Sequence, residues 1–184
     1  MERGFPDVEG VLEGAVQIPS PNYDERPEGA AVTLLVVHNI SLPPGEFGGD
    51  GIVGLFTNTL DFSAHPYYET LRGLEVSPHF LIRRDGELIQ LVPCDRRAWH
   101  AGASSWRGRE RCNDVSVGVE LEGADDQPYA DVQYSCLAGL MRDMRRRYPI
   151  TDVVGHADIA PGRKTDPGPA FDWGYFRELL AGIE

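Results

Sequence analysis

Apolar and polar positions change rhythm along this chain, and the changes mark out most of its elements. Val32-Thr33-Leu34-Leu35-Val36-Val37 is an unbroken run of β-branched residues and leucine, as expected of a strand covered on both faces. The run ends at His38-Asn39, which puts His38 at a strand's carboxyl end. Val115 to Glu122 alternates instead: Val115, Val117, Val119 and Leu121 share one face, and Ser116, Gly118, Glu120 and Glu122 the other. The small Ser116 and Gly118 leave room for another group to approach the sheet there. From Asp131 to Tyr148 the period becomes helical. Val132, Cys136, Leu137, Leu140, Met141 and Met144 form the apolar stripe, arginines gather at the carboxyl end, and Pro149 is the stop.

Shorter signals complete the outline. His79 to Arg84 and Glu87 to Val92 flank Asp85-Gly86, which predicts a hairpin turning at positive φ. The Pro- and Gly-rich loop 41–50 precedes a short helical pattern through Ile52, Leu55, Phe56 and Leu60, and Trp99 to Asp114 reads as loop. Asp152 to Gly155 predicts a short strand leading into His156, and Phe171-Asp172-Trp173 opens a closing helix to Leu180. Residues 1–30, rich in Gly, Pro and acids, predict an extended surface arm, 1–15 above all, with one short strand near Gly14 to Ile18.

Over 184 residues no break in composition divides the chain, so a single α/β domain is expected. Its 17 basic and 29 acidic residues give a net charge of -12. That disfavours nucleic acid and anionic membrane surfaces as partners and favours a small-molecule substrate, with the chain expected to act as a monomer. Met1 to Asp7 lacks the basic start and apolar run of a signal peptide, so the expected location is the cytoplasm. Cys94, Cys112 and Cys136 are odd in number and widely spaced, which predicts reduced thiols rather than a disulfide framework or a thiolate metal site.

The densest candidate chemistry lies between Gly155 and Pro169, where a histidine, a lysine and carboxylates share a segment stiffened by Pro161, Pro167 and Pro169. Imidazole and carboxylate are ligands zinc accepts, and three protein ligands with one open position make a catalytic zinc site. His38, His156 and Asp166 form one such set, with Asp158 as a rival carboxylate that spacing leaves open. Lys164 gains a role only beside such a metal, where its ammonium would stabilise an oxyanion. Glu120 and Glu122 are equally placed to act as a general base. His65, His79 and His100 read as structural or hydrogen-bonding residues.

Taken in order, Val36-Val37-His38-Asn39, Ser77 to Gly86, Ala98-Trp99-His100-Ala101-Gly102, Gly118 to Gly123, Gly155-His156 and Lys164-Thr165-Asp166-Pro167-Gly168 resemble the zinc-dependent N-acetylmuramoyl-L-alanine amidases related to peptidoglycan-recognition proteins. The likeness covers roughly residues 16–180. Pro19 to Tyr23, Ile40 to Gly49 and Gly108 to Asp114 point to the branch that recycles cell-wall fragments in the cytosol. The resemblance implies a central mixed β-sheet flanked by helices, with Zn2+ bound by His38, His156 and Asp166. It implies Glu120 as catalytic acid and base, and Lys164 as the group stabilising the tetrahedral intermediate. Asn39, Trp99 and Arg111 match positions near the substrate, Arg111 facing a carboxylate of the stem peptide. The implied substrate is a 1,6-anhydro-N-acetylmuramoyl peptide, cleaved at the bond to L-alanine. An amidase acting on polymeric peptidoglycan and a non-catalytic peptidoglycan-binding module are the alternatives on the same fold.

Overall fold

A computed structural model describes residues 9–182; the opening half of the predicted arm, residues 1–8, lies outside the described residues. The chain forms strands β1 (Val16–Gln17), β2 (Tyr23–Glu25), β3 (Leu34–Ile40), β4 (Phe80–Ile82), β5 (Leu88–Gln90), β6 (Arg96–Ala98), β7 (Ser105–Trp106), β8 (Arg109–Glu110), β9 (Ser116–Glu122) and β10 (Asp152–Gly155). Its α-helices are α1 (Gly51–Phe56), α2 (Asp131–Arg147), α3 (His156–Ile159) and α4 (Trp173–Ala181), with 3-10 turns at Pro66–Leu71 and Cys112–Val115. Six strands make one mixed sheet in the order β1-β5-β4-β9-β3-β10. Within it β4, β9, β3 and β10 run parallel, while β5 is antiparallel to β4. This is the mixed, helix-flanked α/β architecture that the resemblance implied.

The two predicted central strands are neighbours, and each is covered on both sides. Leu35, Val37, Val117, Val119 and Leu121 pack with Leu137, Met141 and Met144 of α2 and with Phe176 of α4. Leu34 and Val36 face the opposite layer, against Ala101, Cys112, Val154 and Ile159. A third cluster joins Leu81, Ile89 and Leu91 to Ile52, Leu55 and Phe56 of α1. The hairpin forms where Asp85-Gly86 predicts it, but with a different turn. Gly86 N–H donates to Arg83 O and Arg83 N–H to Glu87 O, and of the pair only Gly86 has positive φ, at 88°. This is the three-residue loop ending in a left-handed glycine rather than the two-residue turn.

Four expectations need correction. β3 runs on through His38 and Asn39 to Ile40, because parallel pairing with β9 continues to Ile40↔Glu122. The segment 99–114 is not all loop: β7 and β8 pair as a small hairpin, and a 3-10 turn follows. α1 stops at Phe56, short of Leu60. In α2, Val132 is 45% exposed while Gln133 is buried. Gln133 replaces an apolar contact with hydrogen bonds, its amide donating to Glu122 O at 3.0 Å and Ile82 O at 3.4 Å and accepting from Ala130 N–H at 3.1 Å. It therefore ties the ends of β4 and β9 to the start of α2.

These roles predict opposite outcomes for adjacent residues. Gln133→Ala should destabilise the protein by about 1–3 kcal/mol, because buried carbonyls lose their donors. Val132→Ala should change stability by no more than about 0.5 kcal/mol. Urea unfolding of both variants checks the contrast.

Candidate metal centre and catalytic cleft

Strand register assembles the site. In the parallel β3–β9 pair His38 lies directly opposite Glu120, and in the β10–β3 pair Gly155 lies opposite Val37. His156, the next residue after Gly155, therefore reaches the level of His38. Three neighbouring strands thus present Glu120, His38 and His156 side by side at their carboxyl ends, where open α/β sheets place their ligand sites. His156 opens the short helix α3 rather than a loop. Asp166 then returns to it: Asp166 O accepts from Ala157 N–H at 2.9 Å, and the Asp166-Pro167 peptide bond is cis.

His38 Nδ1 lies 2.9 Å from His156 Nδ1, and Asp166 Oδ2 is 3.2 Å from the former and 3.1 Å from the latter. Bonds of about 2.0–2.1 Å to a tetrahedral zinc ion put its donors roughly 3.3 Å apart. The two imidazole nitrogens and the carboxylate oxygen therefore fit zinc in chemistry and in spacing, and they form the cluster of possible metal ligands found among the described residues. Asp158, the rival carboxylate, is engaged elsewhere, since its Oδ2 accepts from Gly155 N–H at 2.7 Å.

Burial governs the charges here. It pushes His38 down to about 4 against the opposing pull of Asp166, and His79 down to about 3. His100 is held well below its ordinary value for the same reason, with the neighbouring His38 adding to the effect. Burial alone would raise Asp166, yet its polar contacts with His156 and His38 hold it well below the carboxylate range. Glu120 goes the other way: burial and the charge of Asp166 lift it well above its ordinary value, opposed by Lys164. Its Oε2 is buried without a hydrogen-bond partner among the described residues. Glu122 has a structural task instead, accepting from Gly48 N–H at 2.7 Å and Arg84 N–H at 3.1 Å and pairing with Arg83.

A cleft of about 390 Å³ opens over these groups, lined by His38, Asn39, Trp99, His100, Glu120, His156, Lys164 and Asp166 on its polar side. Leu42, Leu55, Tyr67, Leu71, Leu74 and Val76 form an apolar wall. Asn39 borders the cleft, but its amide donates to Asp125 Oδ1 at 2.8 Å and Pro167 O at 3.0 Å. Arg111 lines a separate depression with Arg163 and pairs with Asp114 at 3.3 Å. Sequence reasoning missed Arg163, which donates to Ala101 O at 2.6 Å and Ala103 O at 2.7 Å and so braces the loop beside His156. A loop arginine carries no local signal for such a contact.

A family model described as N-acetylmuramoyl-L-alanine amidase matches residues 28–169. The chain belongs to the N-acetylmuramoyl-L-alanine amidase family and is an amide hydrolase of that class. It is 58% identical over 175 residues to the 1,6-anhydro-N-acetylmuramyl-L-alanine amidase AmpD of Escherichia coli K12, covering 94% of this chain and 96% of that one. A crystal structure of a selenomethionine AmpD derivative superposes with a TM-score of 0.91 at 58% identity, covering 94% of this chain and 98% of that one. The amidase AmiD of E. coli, in complex with the substrate anhydro-N-acetylmuramic acid-L-Ala-D-γ-Glu-L-Lys, matches with a TM-score of 0.60 at 31% identity, over 86% of this chain and 65% of that one.

The buried neutral imidazoles predict how the metal-free protein responds to acid. His38 and His79 have folded-state values below those of the unfolded chain, so their stabilisation is complete above about pH 6.5 and is lost as pH falls through the folded values, about 4 and about 3. Urea midpoints of the metal-free protein should fall steadily below about pH 6.5, at up to about 1.4 kcal/mol per pH unit for each histidine.

Proposed function

We propose that the chain is a zinc-dependent hydrolase that cleaves the amide bond between 1,6-anhydro-N-acetylmuramic acid and L-alanine in muropeptides of the cytoplasm. The observation that carries this reading is the triangle of His38 Nδ1, His156 Nδ1 and Asp166 Oδ2, at 2.9–3.2 Å, beside the unpartnered oxygen of Glu120. Identity of 58% to AmpD along nearly the whole of both chains supports the anhydro substrate.

His38, His156 and Asp166 would hold the zinc, which would supply Lewis acidity for lowering a water's pKa to about 7 and for polarising a carbonyl. Glu120 orients the attacking water and takes its proton, then returns that proton to the alanine nitrogen as the amine leaves. Its buried position makes the carboxylate a strong base once ionised, and burial is also what makes the protonated form a competent donor. Lys164 lines the same cleft, and its ammonium would stabilise the negative charge that develops on the carbonyl oxygen. Trp99 offers an aromatic wall to the substrate, and Arg111, in the separate depression beside Arg163, is the cation we assign to a carboxylate of the stem peptide.

Peptide release from a defined 1,6-anhydromuramoyl tripeptide, followed by mass spectrometry beside intact sacculi, tests the reading. Cleavage of the anhydro substrate should stop with a chelator and return with zinc. Equal or better cleavage of sacculi would instead identify an enzyme of polymeric peptidoglycan, and no cleavage of either a binding module. Glu120→Ala should keep its zinc and lose about 10²–10⁴-fold in kcat. Near-normal turnover in that variant would remove Glu120 from the role.

A further inference from the structure

The two histidines of the metal triangle are held in unlike ways. His156 Nε2 lies 3.1 Å from Ala101 O. A carbonyl can only accept, so this contact places the proton of His156 on Nε2 and leaves Nδ1 bare; the Arg163 guanidinium, a donor, stands further off at 3.5 Å. His38 Nε2 faces no such group. Its partner is His100 Nδ1 at 2.9 Å, an imidazole nitrogen that either donates or accepts. If it donated, the proton of neutral His38 would move to Nδ1, the atom pointing at His156 and Asp166, and that lone pair would be lost to a metal.

A metal at His38 Nδ1 requires the opposite direction, and the next contact allows it. His100 Nε2 is 3.1 Å from Ser116 Oγ, a hydroxyl that accepts as well as donates, so a proton on Nε2 has an acceptor and His100 Nδ1 is left to accept from His38. The ring is also fixed in place. Asn113 Oδ1 accepts from the backbone N–H groups of His100 and Ala101 at 3.2 and 2.8 Å, and the two imidazoles meet edge to face at 87°. His100 lies flat over Gly118, where a Cβ would fall 2.4 Å from its Cγ. The small residues that the alternation of β9 leaves on its polar face are thus the seat of this ring.

We propose that His100 is a positioning residue that locks His38 in its Nε2–H tautomer, through the relay from His38 to His100 to Ser116, and so turns His38 Nδ1 into a metal ligand. The inference rests on the zinc reading above and adds to it the residue on which one ligand depends. Groups of this kind, which orient a ligating histidine, typically change metal affinity by about 10–100-fold when removed.

The test measures the zinc dissociation constant by competition with a chromophoric chelator, together with the tautomer of His38 in metal-free protein by long-range ¹⁵N–¹H correlation. His100→Phe keeps a ring but removes the acceptor, and should weaken zinc about 10–100-fold and let His38 populate the Nδ1–H form. His100→Asn, whose Oδ1 can stand near the position of Nδ1, should restore affinity to within about threefold of wild type and keep the Nε2–H tautomer. Ser116→Ala removes the end of the relay and should weaken zinc at least about threefold. If His100→Phe does not fold, the Ser116→Ala and His100→Asn results decide the matter. Wild-type affinity and an unchanged tautomer in the folded acceptor-deleted variants would overturn the proposal. A wild-type protein that takes up no zinc would refute the metal reading itself, an outcome visible before any variant is made.

Discussion

The site depends on one constraint, the level register of three parallel strands. β9, β3 and β10 run in the same direction, and the pairings His38↔Glu120 and Val37↔Gly155 bring Glu120, His38 and the residue after Gly155 to one level. A slip of one residue in either pair would turn a functional side chain to the opposite face of the sheet. The packing of Val37, Val119 and Leu121 against α2 and α4 penalises that slip. The energy that fixes the chemistry is therefore hydrophobic burial on the far side of the sheet.

The same burial separates two carboxyl groups that share one cleft. Asp166 lies against two imidazole nitrogens, at 3.1 and 3.2 Å, and is held below the carboxylate range, whereas Glu120 has one oxygen without a partner among the described residues and is driven toward its protonated form. Environments that push two acids apart in this way allow one to hold charge while the other exchanges protons. Lys164 and the depression with Arg111 and Arg163 bring positive charge to the edge of this region, although the chain as a whole carries a net charge of -12. The overall charge says little about the local field that a substrate meets.

Much of this was legible in the sequence, and the misses share a cause. The apolar run before His38 and the alternation of Val115 to Glu122 expose two of the strands that build the site, because each pattern is a local record of burial. The same alternation could not choose between Glu120 and Glu122, which lie on one face; the choice depends on Gly48 and Arg84 occupying Glu122, contacts made across 74 and 38 positions of sequence. Likewise the buried Gln133 and the brace from Arg163 have no periodic signature, since polar side chains inside a protein are satisfied by partners that only the tertiary fold supplies. The resemblance to amidases carried the assignment of roles where pattern alone left alternatives.

The contacts of Asn39 and Tyr129 have a bearing on how this fold can vary. Asn39 is hydrogen-bonded to both Asp125 and Pro167, Tyr129 donates its hydroxyl to Pro167 O at 2.7 Å, and Ala170 N–H donates to Asp125 O at 2.9 Å. The surface turn between β9 and α2 is thereby fastened to the backbone that carries Asp166. Surface connections usually absorb insertions with little penalty, but here a change of length would be transmitted to Asp166, far along the chain. Among relatives or in engineered chimeras, the turn at 123–130 and the segment 164–170 should be exchanged only as a matched pair.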